Sequence, residues 1–422
     1  MKNILIVLMS IIMSLFFFSF EFTFLPGINT KMMLAVLGIL LFVWHSLKSK
    51  KGVVISSEFF ISLMIACCFS LVVFNSVTYN NTDDYAYTSY YISMLVWLFA
   101  AYAACWFVAQ LHKDISIKLI INYLIGISVA QCIIALLIDN ILAVQLFVDR
   151  IVVTHSEAME EINRLYGIGA ALDVAGTRFS AVLVMMALLL SHDNEIKSNK
   201  KQSAIYIFMF IVIAVVGSMI ARTTNIGLIM ALGYIFYSSG LWKIRIKITT
   251  LRQWGVLIGV SFILIVVCVY LYNNMPAAHK LLRFAFEAPI NWIETGEWRT
   301  DSTDQLKSMW ILPESIKTWI IGDGYFMNPI KPGFYMGTDI GYLRFIFYCG
   351  LPGLLMFSVF FVYLSVALYR RFPQERNLFF LLLILTFVIW MKVSTDIFLV
   401  YALFMCIPML QKQKNNQMMN RL

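Results

Sequence analysis

Long apolar segments separated by polar loops follow one another along the whole chain. About twelve of them approach the roughly 17–25 residues that an α-helix needs to cross a bilayer. In chain order they cover 4–20, 32–46, 59–74, 90–111, 119–138, 179–191, 204–220, 226–241, 256–272, 340–368, 378–391 and 397–410. The short alternating segments of a membrane β-barrel do not occur. The pattern therefore predicts an all-α polytopic membrane protein, with residues 1–422 forming a single integral membrane domain.

The loops between the predicted helices are unequal in length. Most have fewer than about 15 residues, whereas 139–176 and 273–337 are much longer and fall on the same side. Assigning the termini and alternate short loops to the cytoplasm places more than half of the 32 lysine and arginine residues there, including those of the basic loop 242–252. The first apolar run lacks a small-residue cleavage site, so we expect it to be retained. Both termini are predicted to be cytoplasmic and both long loops external.

Composition excludes a soluble globular protein and does not favour nucleic-acid binding. Hydrophobic residues make up 61% of the chain and charged residues 13%, whereas soluble domains are about one quarter charged. The formal charge of +9 is divided among many short loops. The 7 cysteines lie in or beside apolar runs without metal-ligand spacing, so we expect packing residues and no disulfide framework.

The stretch 320–355 stands out because a loop with Gly, Pro and Asp runs into an apolar helix without a clear boundary. Asp339 and Arg344 lie where this helix enters the bilayer, and a charge in hydrocarbon costs about 2.5–3.5 kcal/mol. Asp339 and Tyr342, three residues apart, are predicted to share a helix face, with Arg344 offset from them. The alternative is an interfacial helix start, in which Asp339 favours the helix dipole and Arg344 reaches the lipid headgroups.

Arginine outnumbers lysine in the outer loops and at their junctions with the spans. Its planar guanidinium recognises phosphate through two parallel hydrogen bonds, and lysine is not equivalent there. Arg178, Arg222 and Arg344 lie where a span begins or ends, a depth that suits the pyrophosphate of a lipid-linked substrate. Headgroup anchoring also explains each of them when taken singly. The candidate substrate-binding residues are Arg164, Arg178, Arg283, Arg299 and Tyr342.

Asp339 is the best placed of the outer carboxylates to act as a general base on a sugar hydroxyl, because a neighbouring arginine can tune it. Asp173 and Asp323 rank next as candidate general bases.

No metal site is predicted, since His155 and His279 are isolated and no Asp-x-Asp pattern occurs in the outer loops. Walker A, dinucleotide-binding and Ser/His/Asp motifs are also absent from the sequence.

Two motifs and the layout resemble one family, the Wzy-type O-antigen polymerases, which are related to the O-antigen ligases. GDG at 322–324, followed by TDIGYLRFIFYCGLPG at 338–353, resembles the family's exit from its large periplasmic loop into the next span. ARTTNIGL at 221–228 is similar to the family's arginine-bearing element, although Ala221 stands in place of its serine and two residues interrupt the glycine spacing. The arrangement of about twelve spans with two long loops also resembles the family.

The resemblance implies a metal-independent glycosyltransferase of the bacterial inner membrane that uses no cofactor. Such an enzyme transfers the growing glycan of a surface polysaccharide from undecaprenyl pyrophosphate onto the next lipid-linked repeat unit at the periplasmic face. Its implied partners are undecaprenyl-pyrophosphate-linked oligosaccharide, membrane lipid, a chain-length regulator and a flippase, with no nucleic acid. The arginines that would hold the donor pyrophosphate are Arg164, Arg178, Arg222, Arg299 and Arg344, and the candidate catalytic residues are Asp339, Arg344 and Arg222.

Three other classes share part of this pattern. An O-antigen ligase has a similar layout, but its His-Asn pair at the loop exit corresponds to Asp339 and Ile340 here, which disfavours a ligase. A lipid-linked oligosaccharide flippase or other transporter also has about twelve spans, yet it should carry polar residues near span centres, and the centres here are mostly apolar. Motifs of the cell-shape class of peptidoglycan glycosyltransferases do not match.

Overall fold

The structure, a computed structural model, describes residues 2–48, 56–112, 114–154, 164–240 and 248–419. Regular secondary structure in these residues is helical, apart from isolated β-bridges. Of the helices described, 7 are long and apolar enough to cross a membrane, which is consistent with a polytopic membrane protein. The predicted all-α fold is confirmed, whereas the number of about twelve spans remains a prediction. His155 and residues 241–247 of the predicted basic loop lie outside the described residues.

The described helices follow one another along the whole chain. They are α1 (Lys2–Phe17), α2 (Thr30–Lys48), α3 (Ser57–Asn80), α4 (Tyr90–His112), α5 (Ile117–Asn140), α6 (Leu142–Ile151), α7 (Leu172–His192), α8 (Asn194–Ser198), α9 (Lys200–Ile220), α10 (Thr224–Ser239), α11 (Ile248–Asn274), α12 (Pro276–Ala285), α13 (Glu287–Thr295), α14 (Asp301–Ser308), α15 (Ile316–Ile320), α16 (Gly341–Arg371), α17 (Arg376–Trp390) and α18 (Phe398–Met419). The helices that meet the length and apolarity of a span are α2, α3, α4, α5, α7, α9 and α16. Each predicted apolar segment falls on one of the helices named here.

The two long predicted loops contain more helix than the apolar pattern indicated. α6 lies within 139–176, and α7 begins at Leu172, several residues before the predicted span. α12 to α15 lie within 273–337. These short helices escape a search for long apolar runs because their sequences mix polar and apolar residues.

The chain forms two compact units, a division that the apolar pattern did not predict. The first unit comprises Met1–Lys31 and Phe107–Arg299, and the second comprises Met32–Trp106 and Thr300–Leu422. The boundary after Arg299 falls inside the long loop 273–337. That loop therefore contributes residues to both units.

α7 is the central helix of the first unit. Its residues 175–188 are all buried, and it packs against α5, α9 and α10. The close approach of α10 depends on Gly227, because a Cβ at this position would overlap Ser180 of α7. The Ser180 hydroxyl donates to the Thr223 carbonyl at 2.8 Å and holds the start of α10. The short predicted span 179–191 is thus part of a longer buried helix.

α16 is the central helix of the second unit, and it is interrupted after its first turns. It packs against α3, α15, α17 and α18. Cys349 and Gly350 leave the helical conformation, with φ angles of −140° and 69°. Pro352 follows and has no N–H to donate to the preceding turn. The predicted continuous span 340–368 therefore consists of two helical segments.

The loop that precedes α16 satisfies the carbonyls at this break. The Asp323 N–H donates to the Phe347 carbonyl at 2.6 Å, and the Gly324 N–H donates to the Tyr348 carbonyl at 3.2 Å. The Ser76 hydroxyl of α3 donates to the same Tyr348 carbonyl at 2.7 Å. An interrupted helix at membrane depth requires such internal partners, because lipid offers no hydrogen-bond donors.

Alanine at Gly322 or Gly350 should destabilise the second unit. Their φ angles are +85° and +69°, and an added Cβ would lie 2.6 Å from the Tyr348 carbonyl oxygen or 2.5 Å from the Ile320 carbonyl oxygen. We expect strain and overlap together to cost about 2–4 kcal/mol. Gly337→Ala is the matched control, because its φ is +66° but the Cβ meets nothing within 4 Å, so the cost should be about 1 kcal/mol. Equal thermal unfolding midpoints for the three purified variants would contradict the proposed overlap.

Candidate functional site

Arg344 lies in the first turns of α16 with its charged group buried. Its side chain is 6% exposed. The guanidinium carbon is 3.7 Å from the ring centroids of both Phe326 and Phe334. Contacts of this kind stabilise a cation that has lost its water. Arg344 is therefore enclosed by protein, and the alternative of a side chain reaching to lipid headgroups does not describe this structure.

The hydrogen bonds of Arg344 leave part of the guanidinium unused. Nη1 donates to Ser394 Oγ at 2.8 Å, and Nη2 donates to the Phe326 carbonyl at 3.4 Å. Asp339 Oδ1 is 3.6 Å from Nη1, which is longer than a charge-assisted hydrogen bond. Nε is buried and has no hydrogen-bond partner within the described ranges. A buried guanidinium with an unused donor favours the binding of an additional anion.

Asp339 and Tyr342 do not share a helix face, so that prediction is wrong. α16 begins at Gly341, and Asp339 lies before it in the connecting loop. The Tyr342 hydroxyl donates to the Phe387 carbonyl of α17 at 2.9 Å. Asp339 instead faces Arg344 and is 27% exposed. The carboxylate thus remains accessible beside the buried cation, whereas Tyr342 is engaged in helix packing.

Asp84, in the loop between α3 and α4, holds the segment that covers Arg344. Its Oδ2 accepts hydrogen bonds from the Phe326 N–H at 2.8 Å and the Met327 N–H at 2.9 Å. The Asp84 carbonyl accepts from the Tyr348 hydroxyl at 2.7 Å. The pattern of polar and apolar positions gives no indication of this role, because Phe326 lies 242 residues further along the chain.

Asp323, the other candidate base of this unit, is engaged within its own loop. Its Oδ1 accepts from the Thr318 hydroxyl at 2.8 Å and pairs with Lys317 Nζ at 3.4 Å. The Tyr335 hydroxyl donates to Oδ2 at 3.4 Å. Burial raises the pKa of Tyr335, and the negative charge of Asp323 raises it further, so this phenol stays a donor. These contacts give Asp323 a structural role.

Asp396 is a further carboxylate of this region that the sequence reasoning missed. It lies in the loop between α17 and α18, and its Oδ1 accepts from the Phe398 N–H at 2.8 Å. Tyr87 lies within electrostatic reach of both Asp396 and Arg344. A signal was present in the sequence, because the polar run KVSTD at 392–396 separates the last two apolar segments.

Arg222, at the junction of α9 and α10, lies at the centre of a second group in the first unit. Its Nη2 is 2.6 Å from Glu287 Oε2, and its Nε donates to the Phe284 carbonyl at 2.9 Å. Its guanidinium carbon is 4.2 Å from the Phe284 ring centroid. The Arg164 guanidinium lies over the same ring at 4.9 Å. The structure thus places two arginines from different parts of the chain against one aromatic ring.

Arg178 is buried on α7 and has different contacts. It is 6% exposed, and its Nη1 lies 3.5 Å from the Gly169 carbonyl. Its guanidinium carbon is 5.9 Å from the Phe18 ring centroid. Asp173, at the start of the same helix, accepts a hydrogen bond from the Thr223 hydroxyl. These contacts place Arg178 against the segments that precede α7 and follow α1.

Arg283 and Arg299 lie in the last part of the first unit and differ in their contacts. Arg283 Nη1 donates to both carboxylate oxygens of Glu294 at 2.9 Å and to the Tyr272 hydroxyl at 3.3 Å. The hydrogen bonds to Tyr272 and Glu294 raise the pKa of Arg283. Arg299 is 63% exposed. Arg283 therefore ties α12 to α13 and α11, and Arg299 is a surface residue.

The predicted site residues belong to two groups, one in each unit. The second unit holds Asp339, Tyr342 and Arg344, and the first unit holds Arg164, Arg178, Arg222, Arg283 and Arg299. Across the part of the chain that the structure describes, no group of three histidine, cysteine, aspartate or glutamate residues could hold a metal ion. The chain matches no protein-family model, no curated protein and no solved structure.

Asp84→Ala should loosen the segment that carries Phe326. The substitution removes a carboxylate that accepts two backbone hydrogen bonds, at 2.8 and 2.9 Å. The loss should cost about 2 kcal/mol, because two backbone donors lose their charged partner. Hydrogen exchange measured by mass spectrometry should become faster in residues 324–328. The exposed neighbour Asp83 supplies the matched control, since Asp83→Ala should leave exchange unchanged. Unaltered exchange in Asp84→Ala would show that the carboxylate does not hold this segment.

Proposed function

We propose that this chain is a surface-polysaccharide (O-antigen) polymerase of the Wzy type in the bacterial inner membrane. It transfers the growing glycan from undecaprenyl pyrophosphate onto the next lipid-linked repeat unit at the periplasmic face. The observation that supports this most directly is the buried Arg344, whose Nε has no partner among the described residues and whose Nη1 is 3.6 Å from Asp339. A cation beside an accessible carboxylate suits a displacement reaction with an anionic leaving group.

The proposed chemistry is a displacement at the anomeric carbon of the donor glycan. A hydroxyl of the acceptor repeat unit attacks this carbon, a new glycosidic C–O bond forms, and the C–O bond to pyrophosphate breaks. Asp339 accepts the hydroxyl proton, and Arg344 stabilises the negative charge on the departing undecaprenyl pyrophosphate. Ser394 positions Arg344 through its hydrogen bond to Nη1 at 2.8 Å. In this reaction arginine supplies the charge stabilisation, and the donor is a lipid-linked glycan rather than a nucleotide sugar.

The proposed topology has about twelve spans with both termini in the cytoplasm. The long apolar helices supply part of this number, and α1, α10, α11, α17 and α18 supply the remainder. The distribution of lysine and arginine over the short loops supports the orientation. Both long loops and the start of α16 then lie at the periplasmic face, at the depth of a lipid-linked pyrophosphate.

A lipid-linked oligosaccharide flippase is the second candidate, and the interruption of α16 at Cys349 and Gly350 favours it. Broken membrane helices line the substrate sites of several transporter folds. An O-antigen ligase remains the third alternative, disfavoured by Asp339 at the position where the ligase carries histidine.

Arg344→Ala should abolish polymer formation while the protein level stays near that of the wild type. The change removes the cation that is proposed to bind phosphate. Arg344→Lys should form polymer about tenfold more slowly than the wild type if the contact uses two parallel hydrogen bonds, because lysine cannot form both. Arg370→Ala is the matched control, because Arg370 is exposed at the other end of the same helix. Polysaccharide length on gels and immunoblots of complemented strains measure both quantities. A fully active Arg344→Ala protein would exclude the proposed pyrophosphate contact.

The surface-polysaccharide ladder of a strain that lacks this gene should show lipid cores bearing a single repeat unit. Ligation and flipping still operate in such a strain, so one unit reaches the core without polymerisation. Loss of every repeat with accumulation of lipid-linked polymer would identify a ligase instead. Single lipid-linked units retained at the cytoplasmic face would identify a flippase. The same gel therefore distinguishes the three candidates.

A further inference from the structure

Glu287 contacts Arg222 at the point where an external anion would bind. Its Oε2 lies 2.6 Å from Arg222 Nη2, and the two side chains are 9% and 17% exposed. Removing both charges from water costs much of what their attraction provides, so a buried pair of this kind adds little net stability. The Glu287 carboxylate can therefore exchange with an anion that satisfies the arginine better.

Two guanidinium groups contact the same aromatic ring beside this pair. Arg164 and Arg222 lie over the Phe284 ring at 4.9 and 4.2 Å. The Nε of Arg164 is buried without a hydrogen-bond partner among the residues described. Pyrophosphate carries more negative charge than a carboxylate and has more acceptor oxygens. It can therefore pair with both guanidinium groups, whereas the carboxylate pairs with Arg222.

Glu287 joins the start of α13 to Arg222, and Arg283 joins the far end of the same helix to α12 through Glu294. Glu287 is the first residue of α13 and the one buried residue of that helix, which the structure describes along its whole length. Phe286, just before it, has non-helical backbone angles (φ −120°, ψ 35°), and no side chain caps the helix start. α12 is anchored separately, by the hydrogen bond from Arg222 Nε to the Phe284 carbonyl at 2.9 Å. Glu287 can thus leave Arg222 with little loss of apolar burial.

We infer that Glu287 is an internal occupant of a pyrophosphate site formed by Arg164 and Arg222, and that substrate binds by displacing it. α13 then acts as a latch (Glu287–Thr295), which is closed while Glu287 contacts Arg222 and opens when pyrophosphate takes its place. This inference rests on the proposed function, which assigns a pyrophosphate-bearing substrate to these arginines. It adds a regulatory feature, because competition with Glu287 sets the affinity of the site.

Titration calorimetry with inorganic pyrophosphate and the purified full-length protein tests the latch. Glu287→Gln keeps the side-chain size and removes the competing charge, so it should bind pyrophosphate about tenfold more tightly than the wild type. Arg222→Ala should bind about tenfold more weakly, because one guanidinium is lost. Asp193→Asn is the matched control, since it removes a different half-buried carboxylate, paired with Lys118 at 2.7 Å. Its pyrophosphate affinity should equal that of the wild type.

Unchanged or weaker pyrophosphate binding by Glu287→Gln would overturn the latch and leave Glu287 as a structural ion pair. Hydrogen exchange of the unmodified protein gives a reading that does not depend on how the variant folds. Added pyrophosphate should speed exchange in residues 287–295 if the latch opens. Slower or equal exchange there would contradict the inference.

The calorimetric result also separates the latch from the polymerase assignment, because pyrophosphate binding needs no glycan transfer. Suppose that Glu287→Gln binds pyrophosphate more tightly, and that a strain lacking the gene retains lipid-linked units at the cytoplasmic face. These two results together would support the latch and reject the polymerase. Suppose instead that Glu287→Gln binds pyrophosphate as the wild type does, and that the strain lacking the gene carries single repeat units on the lipid core. These two results would overturn the latch and retain the polymerase.

Discussion

The arrangement of the second unit depends on how the broken helix α16 satisfies its backbone carbonyls. Lipid supplies no hydrogen-bond donors, so the break at Cys349 and Gly350 needs partners from within the protein. Residues 323–324 and Ser76 supply those donors. The loop is thereby fixed against α16, and the residues that follow it along the chain extend over Arg344. A single hydrogen-bonding requirement thus accounts for both the path of the loop and the enclosure of the arginine.

Both units bury an arginine in the same manner, beside an aromatic ring and a carboxylate. The ring lowers the cost of desolvating the guanidinium, and the carboxylate neutralises part of its charge. The carboxylate distances differ, because Asp339 lies 3.6 Å from Arg344 and Glu287 lies 2.6 Å from Arg222. Arg344 therefore retains more capacity for an outside anion, whereas Arg222 already has a close internal partner.

Several residues that the sequence ranks as candidates have structural contacts that occupy their polar groups. The Tyr342 hydroxyl donates to a carbonyl of α17, Arg283 joins neighbouring short helices, and Asp323 accepts from its own loop. Such groups already have partners, so breaking those contacts would oppose binding. Position near a membrane boundary cannot separate these residues from Arg344 and Asp339, because all of them are polar and lie outside or at the ends of apolar segments.

The sequence by itself determined the all-helical membrane class and the position of Arg222 and Arg344 near helix ends, because apolar length and local charge are properties of neighbouring residues. Arg178 lies inside α7, because that helix begins six residues earlier, at Leu172. Only the tertiary structure decided the two units, the attachment of the Phe326 segment to Asp84, and the placement of Arg164 and Arg222 against the Phe284 ring. These features join residues that are distant in the chain, as in the 242 positions between Asp84 and Phe326. A pattern of polar and apolar positions contains no information about which distant segments pack together, and that packing determines which buried charges are paired.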